Sequence, residues 1–130
     1  MSGSVLPDSN AVVALLAGNA AIANRLNAAS EVLLAAAVLG ELRYGALNSS
    51  RTEDNLARLD QFTSMCRFVP VTEAVVHAYA DLRLALKKKG RPVPENDIWI
   101  AATAKVEDAT VLTDDAHFEH FSDLAIEPFG

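Results

Sequence analysis

The pattern that most restricts this chain is an alternation of short apolar runs with longer stretches of helical periodicity, sustained from one end to the other. Ser4–Leu6 predicts a strand, and Asn10–Ala17 a helix that Gly18 can end. Ala20–Ala28 adds a second helical piece with Ile22 and Leu26 on one face. Val32–Val38 is a continuous apolar run of strand length, punctuated by Gly40, and Glu41–Leu47 then opens another helix. Ser50 and Glu53 are spaced as a capping box before a helix carrying Leu56, Leu59 and Phe62. Phe68–Thr72 reads as a short or edge strand because it contains Pro70. Glu73–Lys88 is amphipathic and ends in Lys87-Lys88-Lys89-Gly90, cations at the negative end of a helix followed by a glycine. Asp97–Lys105 is the next helix, with strands at Thr110–Thr113 and Leu124–Phe129. Strands alternating with helices predict an α/β fold, a central, mostly parallel sheet covered on both faces.

With 130 residues, the chain can bury one core and not two, so residues 1–130 are expected to form a single domain. Apolar residues make up 51% and charged residues 22%, which excludes a disordered chain. No apolar run approaches the roughly 18–20 residues of a membrane span. Met1-Ser2-Gly3-Ser4 has no basic segment, and the apolar run that follows is broken by Pro7, Asp8 and Asn10, so no signal peptide is expected. Cys66 is the lone cysteine and can form no internal disulfide; together these features point to the cytoplasm. The net charge of −6 speaks against a nucleic-acid binder, unless the acids are concentrated where a cation reverses the local sign.

Ligands of parallel α/β sheets bind outside the carboxyl ends of the strands. Asp8 follows the first strand, Glu41 opens the helix after the second, Asp97 opens the helix of "ENDIWIAA", and Asp115 follows "TVLT". Four carboxylates brought to one sheet edge repel, so either their pKa values rise or a cation is bound. Mg²⁺ or Mn²⁺ suits such hard oxygen donors and phosphodiester chemistry. Taken singly, each acid also has a plain structural role. Asp8 with Ser9 and Asn10, and Asn96 with Asp97, are good capping residues, Glu41 gains from a helix dipole, and Asp114-Asp115 can be a solvated turn.

Other groups carry weaker signals. His117 and His120 could ligate a metal, but an HxxH spacing alone matches no metalloprotease or finger pattern. His77 falls on the amphipathic helix. No phosphate-binding glycine motif occurs, and neither Ser4 nor Ser9 has a histidine base. Lys87-Lys88-Lys89-Gly90-Arg91 could contact phosphates or simply decorate a helix end.

The segments "DSN" with "AVVALLAG", "VLGELRYGAL", "LRLALKKKGRPVPENDIWIAATA" and "VLTDDAHFEHF" resemble, in order, those of the PIN-domain family, in particular the VapC-type ribonuclease toxins of toxin–antitoxin pairs. The resemblance spans nearly the whole chain. It implies a three-layer α/β/α domain, a homodimer, and Mg²⁺- or Mn²⁺-dependent endoribonuclease activity. The implied partners are RNA as substrate and a cognate antitoxin as inhibitor, with DNA contacted only through the antitoxin and no membrane. Asp8, Glu41, Asp97 and Asp115 match the family's metal-binding acids, Asp115 being selected over Asp114 by the pattern Thr-x-Asp-x-x-Phe. Asp8 and Asp97 are then the main ligands, with Glu41 and Asp115 completing the site or positioning water. Ser9 replaces a usual threonine, and Ser9, Asn10 and Thr113 fall at supporting positions.

Pro7 departs from the family pattern, which has an apolar residue there. Proline lacks an N–H and is disfavoured inside a central strand, so it should remove one ladder bond next to Asp8 and could displace that carboxylate. The alternative expectation is therefore a catalytically weakened binding module that acts by antitoxin pairing and operon-DNA repression.

Overall fold

In the computed structural model of the chain, which describes residues 3–130, five strands form one all-parallel sheet in the order β3-β2-β1-β4-β5. Met1 and Ser2, the start of the stretch read for a leader, lie outside the described residues. The strands are β1 (Ser4–Pro7), β2 (Glu31–Ala35), β3 (Arg67–Val69), β4 (Thr110–Leu112) and β5 (Ile126–Glu127). Helices α1 (Ser9–Leu16) and α2 (Ala20–Ala28) connect β1 to β2; α3 (Ala36–Leu47) and α4 (Thr52–Thr63) lead on to β3. Helices α5 (Glu73–Lys89) and α6 (Glu95–Glu107) cross back to β4, and a 3₁₀ turn, Ala116–His120, precedes β5. The result is a three-layer α/β/α sandwich.

Strands covered on both faces read as unbroken apolar runs. Accordingly Val5, Leu6 and Pro7 of β1 are all buried, as are Leu33, Leu34 and Ala35 of β2. Around them pack Val12, Ile22, Val38, Leu59, Val75, Ile98, Ile100 and Phe118. Among the described residues no helix is long and apolar enough to cross a membrane.

Several boundaries differ from the sequence reading. The apolar run Val32–Val38 is not one strand: β2 ends at Ala35 and α3 begins at Ala36, so Val38 and Gly40 are helical. Alanine is the strongest helix former, and the Ala35-Ala36-Ala37 stretch hands the chain from strand to helix without a side-chain cap. Glu41 consequently lies in the second turn of α3 rather than at its start. The Ser50–Glu53 capping box does not form; the residue before α4 is Arg51, and Thr52 turns its hydroxyl back to the Ser49 carbonyl at 2.9 Å. Helix α6 starts at Glu95 behind Pro94, so Asn96 and Asp97 sit in its first turn and do not cap it. Pro70 lies just beyond β3, and β5 is two residues long. Gly18 and Gly90 behave as expected, with φ of +99° and +67° at the ends of α1 and α5.

Pro7 occupies the centre of the sheet. The register of β1 with β2 stops at Val5–Val32, whereas with β4 it continues through Leu6–Val111 to Pro7–Leu112. The Asp8 N–H then donates to the Leu112 carbonyl at 3.1 Å. Successive strand residues address opposite neighbours, so the bond that Pro7 cannot donate is lost on the β2 side and pairing with β4 is intact.

Phe118, fully buried, is the largest wholly enclosed side chain and packs at a tilt on Phe121. Phe118→Ala is expected to lower stability by about 3–5 kcal/mol, measured as the shift in urea midpoint at constant slope.

Candidate metal centre

The chain winds β1-β2-β3 outward on one side and then crosses over to add β4 and β5 on the other. This reversal opens a crevice beyond the carboxyl ends of β1 and β4. A cleft of about 410 Å³ lies there, lined by Asp8, Ser9, Asn10, Glu41, Pro94, Glu95, Asn96, Asp97, Ile100, Asp115 and His117. The four acids singled out in the sequence thus share one cleft, arriving from the end of β1, from α3, from the first turn of α6 and from the loop after β4.

Each is held by local structure. Asp8 is the N-cap of α1 and also faces the cleft: its Oδ1 accepts the Ala11 N–H at 2.9 Å, and the Thr113 hydroxyl donates to its Oδ2. Thr113 in turn accepts the Asp115 N–H at 3.0 Å. Asp115 Oδ1 accepts the His117 N–H at 2.9 Å, capping the 3₁₀ turn. One chain of hydrogen bonds therefore runs from α1 through β4 to that turn. Ser9 donates its hydroxyl to Glu41 Oε1 at 2.9 Å. Asn10 lines the cleft. Asp114 points away and accepts the Phe129 and Gly130 N–H groups at 2.8 and 3.3 Å, which leaves Asp115 as the cleft residue of the pair.

The first turn of α6 is clamped from outside. Arg83 Nη1 lies 2.9 Å from Glu95 Oε1, the Tyr79 hydroxyl bonds the same carboxylate, and Tyr79 stacks on Trp99 at 3.8 Å.

His117, which in the sequence carried only the weak signal of an HxxH pair, lines the cleft. Its Nδ1 stands 3.0 Å from Asp115 Oδ1 and 3.5 Å from Asp97 Oδ2. Asp97, Asp115 and His117 form a donor group, one ligand atom from each lying within 4.8 Å of the others. The signal that could have found it is its place two residues after Asp115, where a tight turn returns a side chain toward the capping carboxylate. His120, the other half of the HxxH pair, does not line the cleft.

The electrostatics are those of crowded, half-buried carboxylates. Asp97 is pushed up to about 6, by burial first, then by the Asp115 carboxylate and Glu41, with His117 opposing. Asp8 is also raised, chiefly by burial and then by Asp115 and Asp114, although the bonds from Thr113 and Ala11 hold it down. Carboxylates that resist ionisation, beside a buried ring nitrogen with no hydrogen-bond partner among the described residues, form a donor set that fits a divalent cation.

The PIN-domain family model matches residues 5–124, and the chain belongs to the PIN-domain family. Ribonuclease VapC2 of Rickettsia felis is 32% identical over 97 residues, 74% of this chain and 72% of that protein. Ribonuclease VapC4 of Mycobacterium tuberculosis is 39% identical over 90 residues, 68% of this chain and 69% of its own length. The crystal structure of VapBC2 from Rickettsia felis bound to a promoter DNA fragment contains a chain that superposes with a TM-score of 0.91. It is 26% identical, over 98% of this chain and 99% of that one.

A carboxyl whose pKa is raised in the fold holds its proton more tightly there than in the unfolded chain. Its stabilisation is present below its unfolded pKa of 3.8 and is lost as pH rises through about 6. Chelator-treated protein is therefore expected to lose about 2 kcal/mol between those limits, after allowance for solvent screening at the cleft mouth. Asp97→Asn should remove most of that loss, read from urea midpoints across the pH range.

Proposed function

We propose that this chain is a divalent-cation-dependent endoribonuclease, the toxin of a VapBC-like pair. The observation that carries this reading is the convergence of Asp8, Glu41, Asp97 and Asp115 on one cleft in a chain whose relatives are named ribonucleases. Asp97 and Asp115 would hold Mg²⁺ or Mn²⁺, with Asp8 completing the charge and fixing Asp115 through Thr113. When bound, such an ion supplies the positive charge that acidifies an attacking water and stabilises the leaving oxygen of a phosphodiester. Glu41, oriented by Ser9, faces the same space and can accept a proton from that water.

The substrate strand would reach the cleft along the end of α5. Lys87, Lys88 and Arg91 are exposed and have no carboxylate partner among the described residues, and the loop after Gly90 runs directly into Pro94 and Glu95 of the cleft wall. Cations there suit a phosphate backbone and offset the negative net charge locally.

A second depression, about 460 Å³, runs between α1, α3 and α4 past Val13, Leu16, Leu42 and Leu59, and shares Ser9 and Glu41 with the cleft. Its apolar walls suit an antitoxin segment, and a basic residue on that segment could reach Glu41. The VapBC2 relative is a complex bound to DNA; here DNA would be contacted by the antitoxin, with the toxin as a homodimer in the cytoplasm.

The rival reading, a module disabled by Pro7, is disfavoured by the anchoring of Asp8. Its N–H keeps its β4 partner and both carboxylate oxygens are bonded. RNA cleavage in Mg²⁺ or Mn²⁺ is expected to vanish in EDTA and to fall at least about 10²-fold in Asp97→Asn. Undiminished cleavage in EDTA would sink the proposal. Pro7→Leu should leave the rate essentially unchanged, and a large gain would restore the binding-module reading.

A further inference from the structure

We infer that His117 is a direct nitrogen ligand, through Nδ1, of the cation held by Asp97 and Asp115, and that it tilts the site from Mg²⁺ toward first-row transition ions such as Mn²⁺. This rests on the carboxylate cleft being a cation site.

The first ground is an orphaned atom. Nδ1 is buried from solvent and has no hydrogen-bond partner among the described residues. Two carboxylate oxygens stand 3.0 and 3.5 Å away, yet the ring N–H direction meets neither of them as a hydrogen bond. Leaving a buried polar atom unsatisfied costs roughly 1–3 kcal/mol. A cation placed between the ring nitrogen and the two carboxylates would give all three a partner.

The second ground is spacing. Donors at right angles around an ion with bonds of about 2.1 Å stand about 3 Å apart. The Nδ1–Asp115 distance matches that value and the Nδ1–Asp97 distance exceeds it by a margin that a small side-chain rotation closes.

The third ground is rigidity. The Asp115 carboxylate binds the backbone N–H of His117 itself, and the next residue, Phe118, is fully buried. Carboxylate and imidazole are thus carried on one short turn with its far end sunk in the core. Neither His77 nor His120 lines the cleft, so the assignment is to one histidine of the three.

Chemistry gives the consequence. Mg²⁺ favours oxygen donors and keeps its waters, whereas first-row ions accept imidazole, Mn²⁺ least among them but more readily than Mg²⁺. A set of two carboxylates and one imidazole is therefore poorer for Mg²⁺ than an all-oxygen set would be.

The test uses the full-length protein with Mn²⁺ alone as probe and Mg²⁺ as competitor. Pulsed electron spin resonance of the Mn²⁺-loaded protein should show coupling to a directly bonded ¹⁴N. That coupling should disappear in His117→Ala and in the conservative His117→Gln, and persist in His120→Gln. The Mn²⁺-over-Mg²⁺ affinity ratio should fall in both His117 variants by at least the roughly 10-fold that loss of even an outer-shell partner costs. Circular dichroism melts would verify that these variants, altered at a side chain 46% exposed, remain folded. Mn²⁺ bound with no nitrogen coupling and an unchanged ratio overturns the role of His117 while leaving a carboxylate cation site. No Mn²⁺ binding that depends on Asp97 overturns the cation site itself and this inference with it.

Discussion

The Asp8 carboxylate joins the two central strands, and the geometry of the cleft descends from that join. One oxygen closes the first turn of α1 through Ala11, and the other receives the Thr113 hydroxyl from the end of β4. A buried carboxylate left without such donors would ionise at a heavy cost. With them it stays in place despite neighbouring negative charge, and Thr113 passes the constraint on to Asp115 and so to His117. The question whether Asp8 is a helix cap or a cleft residue has a physical answer: the cap bond occupies one oxygen and orients the other.

The cleft also shows how a strand anomaly is absorbed. A proline in the middle strand of a five-stranded sheet looks damaging in isolation. Because successive residues address opposite neighbours, its missing donor weakens contact with β2 while the pairing with β4 continues to Asp8. The cleft needs β1 and β4 in register, and that is the side the proline spares.

Much of this was legible in the residues. Alternating apolar runs and helical periods implied a parallel sheet, and strand-end acids implied a crevice at its carboxyl edge. What escaped had identifiable causes. Ala35-Ala36-Ala37 is apolar enough to extend a strand and helix-prone enough to start α3, and periodicity over so few residues cannot separate the two. Ser50 and Glu53 had the spacing of a capping box, but the turn before α4 places Arg51 at the cap and turns the Thr52 hydroxyl to Ser49 instead. His117 carried a weak signal because the only histidine near it in sequence is His120, three residues on. Its neighbours lie two residues back in Asp115 and on α6 in Asp97, a proximity that only the sheet creates.

The order in which the cleft residues occur along the chain has a consequence for synthesis. Asp8, Glu41 and Asp97 precede β4, yet β4 lies between β1 and β5 and carries the chain to Thr113 and Asp115. A nascent chain that has emerged only as far as α6 holds three of the four acids but lacks the hydroxyl that fixes Asp8 and the turn that carries His117. The cleft therefore comes into being only once β4 and the turn after it have joined the sheet beside β1.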